Sequence, residues 1–205
     1  MKVNVMHVID SLAVGGAERM LVEIANHTDR DRFKVSVCVT RSDTTLADEL
    51  KPDIPLYILN RKSRFDFKGI RKLAKIVKDK KVNVFHVHGR SSLAFMVFVG
   101  SMRLISSPLI FLDQYGAIEI DDSIPLWFRL WGKRKVSHYV GACQKLAEWA
   151  YRAGISSDKI SVIENAIDLS RICDAQPYNL RRDLSIPKEA LIGVFVGGLR
   201  REKGL

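Results

Sequence analysis

Two adjacent glycines, Gly15 and Gly16, sit between the apolar run Val3–Ile9 and the helical pattern Ala17–Asn26. Glycines at a helix start let a ligand approach the backbone, and they expose amide N–H groups where the helix dipole favours an anion. The pair therefore suits a phosphate or sugar-phosphate, or else a tight turn. The GxGxxG dinucleotide fingerprint is absent, which removes the main support for a nicotinamide or flavin enzyme. A second constellation is His86-Val87-His88-Gly89. Strand side chains alternate, so His86 and His88 share a face. Two histidines could begin a metal site, but a metal needs three or four ligands and no third is evident from spacing. The expectation is no metal. The imidazoles could instead hydrogen-bond a sugar or phosphate, or be satisfied by neighbouring backbone. His88, beside Gly89, is the better crevice candidate.

The elements that must carry these groups alternate. Strands are expected at Val3–Ile9, Phe33–Thr40, Leu56–Leu59, Val84–His88, Leu109–Leu112, His138–Ala142, Ile160–Ile163 and Leu191–Val196. Helices are expected at Ala17–Asn26, Thr45–Leu50, Gly69–Lys80, Ser92–Ile105, Pro125–Trp131 and Gln144–Ala153. Strand–helix alternation predicts an α/β fold, a Rossmann-like parallel sheet with helices on both faces. Ligands of such sheets sit at the carboxyl ends of the strands.

Composition sets the class. The 205 residues are 47% hydrophobic, as in a folded globular chain. The longest apolar run, near Leu93–Val99, is too short to span a bilayer, which takes roughly 20 residues. The start of the chain runs straight into a strand pattern without a signal-peptide motif, and Cys38, Cys143 and Cys173 form no CxxC pair. A reducing cytosol is the expected setting. The net charge of +10 is concentrated in Arg61–Lys81, where only Asp66 and Asp79 oppose a run of lysines and arginines. Trp127–Lys135 mixes aromatics with cations. Both stretches suit an anionic membrane surface, or are solvated helix faces with buried aromatics. No nucleic-acid motif appears.

His7-Val8-Ile9-Asp10 followed by Gly15-Gly16-Ala17-Glu18-Arg19 resembles the opening of the family-4 glycosyltransferases, which have the two-domain GT-B architecture. Further stretches match in order: Val82–Gly89 with its His-x-His, Pro108–Gly116, Val140–Leu146, Ile160–Asp168 with its Asn-Ala-Ile-Asp, and Ile192–Gly204. The resemblance implies residues 1–185 as an amino-terminal acceptor-side domain and 186–205 as the start of a donor-binding domain. It implies a retaining transferase that moves a sugar from a nucleotide sugar to a glycan or lipid-linked acceptor, without a metal or other cofactor. Gly15, Gly16, His88, Gln114 and Asn165 are implied to bind substrate, and Lys203 and Arg200 to hold the donor diphosphate. Gln114 stands where the family usually has a histidine, and Asp113 beside it is the other catalytic candidate. Glu18 and Arg19 are assigned to capping and packing. The chain by itself is expected to be inactive, and cytoplasmic or peripheral at the inner membrane face. A sugar-nucleotide epimerase of the same fold and a non-enzymatic basic binding module are the alternatives.

Overall fold

The computed structural model describes residues 1–63, 65–114, 122–176 and 178–196, with Ser170 and Arg171 described by their backbone only. It divides into two compact units, Met1–Ala166 and Ile167–Leu205. The sequence places its domain boundary after residue 185, within the second of these.

The first unit is built on seven parallel strands: β1 (Val3–Ile9), β2 (Phe33–Val39), β3 (Leu56–Ile58), β4 (Val84–His88), β5 (Leu109–Asp113), β6 (Val136–Gly141) and β7 (Ile160–Val162). Their order is β3-β2-β1-β4-β5-β6-β7. The expected α/β Rossmann-like sheet is what forms. Valine and isoleucine dominate these runs, and β-branched side chains suit a pleated surface packed on both sides. Parallel neighbours need crossovers, which are supplied by α1 (Gly16–His27), α2 (Phe67–Lys80), α3 (Arg90–Ser101) and α5 (Gln144–Arg152), with a short α4 (Lys133–Lys135) before β6.

The two faces bury separate cores. Met6, Val8, Phe85, Val87, Phe111 and Tyr139 pack against α2, α3 and α5 through Leu73, Phe95 and Trp149. On the opposite face Ile9, Val35, Val37 and Val39 pack against α1 through Leu21, Val22 and Ala25. Adjacent strands β1 and β4 thus send their helices to opposite sides. The chain runs outward from β1 to β3, then returns to β4 and runs the other way. That reversal is the topological switch point, where open α/β sheets bind ligands.

Several boundaries differ from expectation for local reasons. Helix α3 ends at Ser101 rather than Ile105, because Arg103 turns left-handed (φ +57) and Ile105 folds back into the core. The Pro125–Trp131 helix becomes a wide π turn at Phe128–Gly132, where a Cβ on Gly132 would strike the Trp127 and Phe128 rings. Thr45–Leu50 yields only a 3₁₀ turn, Ala47–Glu49. In the second unit, α6 (Leu169–Cys173) and α7 (Leu180–Asp183) form where no helix was expected, α7 being started by Asn179, whose side chain accepts from the Arg182 N–H. Leu191–Val196 is not the strand its apolar run suggests. A strand exists only through a ladder, and among the described residues none pairs with it.

Helix α2 starts at Asp66, whose side chain accepts from the Lys68 and Gly69 N–H groups. Removing such a cap costs ~1 kcal/mol. Asp66→Ala should therefore lower the unfolding free energy by about that amount in urea denaturation while leaving the m-value unchanged.

Candidate functional site

All seven strands point the same way, so the loops after β1, β4, β5, β6 and β7 share one edge of the sheet. Gly15 follows β1, Gly89 follows β4, Gln114 follows β5, Cys143 follows β6 and Asn165 follows β7. Gly15 and Gly89 flank the switch point.

Three of the helices that begin at this edge are not closed by their own N-cap residue. Gly15 at the start of α1, Gly89 at the start of α3 and Cys143 at the start of α5 make no side-chain cap hydrogen bond. Helix α2, which follows the outer strand β3, is capped by Asp66. The start of α3, beside the switch point, therefore keeps amide N–H groups and the positive dipole end for an anion, and at α1 the open position is Gly16. Gly89 has φ +80, a conformation that excludes most side chains, and a Cβ on Gly16 or Gly89 would meet nothing within 4 Å. Space above these two positions is open. The Glu18 carboxylate folds back towards Gly15, consistent with its assignment to the helix start, and Arg19 pairs with Glu49 at 3.1 Å.

Two ion pairs, largely shielded from solvent, brace the edge. Asp10 Oδ1 accepts from Thr40 Oγ1 (2.6 Å), Arg61 Nη2 (2.9 Å) and Ser92 Oγ (3.2 Å). Burial alone would raise the Asp10 pKa, but hydrogen bonds from Ser91 and Thr40 and the charges of Arg61 and Arg41 hold it below the ordinary value. Asp113 Oδ2 accepts from Arg90 Nε (3.2 Å), Arg90 Nη2 (3.1 Å) and Tyr139 Oη (2.9 Å), and its side chain is 1% exposed. Burial and the Asp113 charge push the Tyr139 phenol well up, so it stays a donor. The Arg90 guanidinium also lies 4.2 Å from the centroid of the Trp149 ring. Asp113 is thus a brace joining β5, β6 and α3, and it does not face an incoming hydroxyl as the sequence suggested. A carboxylate this buried is held by its donors.

Gln114 and Asn165 do come together. Gln114 Nε2 donates to Asn165 Oδ1 at 2.8 Å, and Gln114 Oε1 is buried without a partner among the described residues. His88 departs from its expected place: it is fully buried, with Nε2 3.0 Å from His7 Nδ1. His86, read as the less accessible of the two, instead lines a cavity of about 490 Å³ with Val5, Ile110, Glu164 and Asn165. On that face α1 packs over β1 and β2, and Met20 and Ile24 of α1 line the cavity as well. His7 is the residue that sequence reasoning missed. It is the register partner of His86 across the β1–β4 ladder, a pairing that no spacing along the chain announces. Lys203 and Arg200 lie outside the described residues.

Fold and edge together define a Rossmann-like α/β domain with a candidate crevice at the carboxyl ends of the strands. The sequence matches the profile of Glycosyltransferase Family 4 over residues 14–171. The chain belongs to glycosyltransferase family 4. Its fold is similar to that of HepE from Anabaena, solved in complex with UDP and glucose (TM-score 0.66, 18% identity, 89% of this chain against 50% of that one). It is also similar to a glycosyltransferase from Rickettsia africae (TM-score 0.70, 19% identity, 92% against 51%). A UDP-N-acetylglucosamine 2-epimerase shares it as well (TM-score 0.57, 16% identity, 80% against 49%). The chain spans about half the length of these proteins. A comparison with curated proteins finds no match.

Burial holds all three clustered histidines neutral. His86 is lowered to about 4, and His7 and His88 are driven well below the ordinary value, with neighbouring imidazoles adding to the effect. Their unfolded values lie near 6.5, so the unfolded chain binds more protons below that pH and stability is lost as pH falls. Unfolding free energy in chelator-containing buffer should be flat above about pH 7. It should fall by at least ~1.4 kcal/mol per pH unit between pH 6 and 5. Chemical denaturation at stepped pH checks this, and a flat profile down to pH 5 would contradict it.

Proposed function

We propose that this chain is the acceptor-side half of a retaining glycosyltransferase, moving a sugar from a nucleotide sugar to a glycan or lipid-linked acceptor. The observation that carries the reading is the open space at Gly16 and Gly89, at the starts of α1 and α3, flanking the β1–β4 switch point in a family-4 chain. Sugar transfer needs the departing diphosphate stabilised, the acceptor hydroxyl aligned and water kept out. Amide N–H groups at the two helix starts answer the first need without a metal at the diphosphate. Gln114 Oε1, with no donor of its own among the described residues, can accept from a sugar hydroxyl, and Asn165 holds its amide in place. The third need calls for a second domain closing over the edge. HepE, with about twice the length, was solved with UDP and glucose, which supports a nucleotide sugar as donor. The donor side would fall to the second half, where Lys203 and Arg200 of this chain begin it.

The acceptor reading rests on a second surface. The two basic stretches meet: Phe65, at the foot of α2, lines a groove with Phe98, Trp127 and Trp131. Phe65 and Trp131 are exposed in it, and Phe67 and Leu130 are exposed beside them along the chain, in stretches that also carry the lysines of α2 and Arg129 and Arg134. Exposed aromatics rimmed by cations fit an anionic lipid interface. Among the described residues no helix is long and apolar enough to cross a membrane. The chain would act peripherally, at the inner face, on a lipid-linked acceptor.

Gly16→Val adds a side chain into open space, so stability should change by less than ~1 kcal/mol. Amide shifts induced by pyrophosphate at Gly15, Gly16 and Gly89 should be present in the parent chain and lost in this variant. Shifts confined to other regions would contradict the site. The 205-residue chain alone should neither transfer nor epimerise a nucleotide sugar, and turnover by it would refute the half-site reading.

For the surface, sedimentation should show binding to vesicles containing phosphatidylserine that falls steeply with salt. Equal binding to neutral vesicles would remove the electrostatic docking.

A further inference from the structure

Three of the five histidines in the chain converge on one face of the sheet. His7 on β1 and His86 on β4 are cross-strand partners, and His88 lies two residues further along the same face. Their ring centroids are 4.5 Å (His86–His88), 5.0 Å (His7–His86) and 5.3 Å (His7–His88) apart. One ring nitrogen from each lies within 4.8 Å of the other two. From these distances we infer that His7, His86 and His88 form a three-imidazole site for a late first-row divalent cation of the zinc type.

A triad of ordinary core histidines would have its ring nitrogens hydrogen-bonded. Here His7 Nδ1 and His88 Nε2 face each other at 3.0 Å, and a single proton serves both. His88 Nδ1, on the other side of that ring, is buried with no hydrogen-bond partner among the described residues, so His88 is held chiefly through Nε2. Two nitrogens on one tetrahedral zinc stand roughly 3.3 Å apart, given bonds of about 2.05 Å. The His7–His88 pair is already near that separation. A cation replacing the shared proton needs only a small adjustment there and a swing of His86.

The donor set selects the ion. Neutral imidazole suits zinc, cobalt, nickel and copper, whereas magnesium and calcium require oxygen ligands. Access comes from His86, which is half-buried and lines the 490 Å³ cavity. Glu164 lines the same cavity, so a carboxylate or a water can complete the fourth position and offset the charge. The ligands tie β1 to β4 just beneath the crevice edge, His88 directly preceding Gly89. The site is argued from the imidazoles alone and does not rest on the sugar-transfer reading: it is a clamp on the switch point and not a ligand for diphosphate.

Zinc titration of the chelator-stripped chain, followed calorimetrically, tests the site with zinc ion alone. The expected result is one equivalent bound and a higher melting temperature. His86→Asn, a change at the most exposed of the three positions, should weaken binding at least ~10-fold while keeping the far-ultraviolet spectrum. His27→Ala should leave affinity unchanged. His27 sits beside Glu23 on the surface and is the obvious adventitious site. Loss of binding in His27→Ala but not in His86→Asn overturns the proposal, as does the absence of stoichiometric uptake. Where His86→Asn does not fold, cobalt decides with the parent chain: intense visible absorption of a four-coordinate ion supports the site, and the faint spectrum of a six-coordinate ion refutes it.

Discussion

The pairing of β1 with β4 is the constraint on which the molecule turns. These strands are far apart in the chain, and they can be neighbours only because β2 and β3 are laid down on one side before the chain returns to the other. Parallel strands require crossovers, and the right-handed rule fixes the side each helix takes. Helix α1 therefore lands on one face and α3 on the opposite one. Between them the sheet edge cannot be covered by either helix. The crevice follows from topology, and the glycines at its rim only keep it open.

Electrostatics at the rim is arranged by pairing most of the formal charge. Asp10 is matched by Arg61 and Arg41, and Asp113 by Arg90, with Thr40, Ser92 and Tyr139 completing the hydrogen bonds. Buried pairs of this kind add little net stability compared with apolar packing, but breaking one leaves a charge uncompensated. Their effect is positional: each pair spans different strands or helices and holds the loops in register. Among the described residues, the backbone at Gly16 and Gly89 is a further source to attract an anion. That is a weaker source than an arginine, but it needs no reorganisation when charge develops.

The face opposite α2, α3 and α5 tells a second story. Helix α1 covers it over β1 and β2, but beyond β1 the alternate residues Val84, His86, Ile110, Leu112 and Val140 are left along an apolar cavity. The three histidines sit beside this cavity, His7 and His88 buried and His86 lining it. A polar cluster in that place is expensive to desolvate, and its imidazoles remain neutral for that reason.

Much of the fold was legible along the chain. Alternating β-branched runs and amphipathic stretches predict β1 to β7 and α1, α2, α3 and α5 within a few residues, because those periodicities are set by local geometry. The glycines at the rim, and the Gln114 and Asn165 positions, could likewise be read from order and resemblance. The apolar run Leu191–Val196 misled, since hydrophobicity marks what could pair but not whether a partner strand is present. Asp113 and His88 misled for a related reason. The loop position suggested that each would face the crevice, and only packing against Arg90, Tyr139 and His7 turned them inward. Residue types and their spacing thus determined the elements and the edge on which the site lies. Which strands became neighbours, and with them the meeting of His7 with His86 and of Gln114 with Asn165, was decided by contacts between segments distant in the chain, to which local periodicity carries no information.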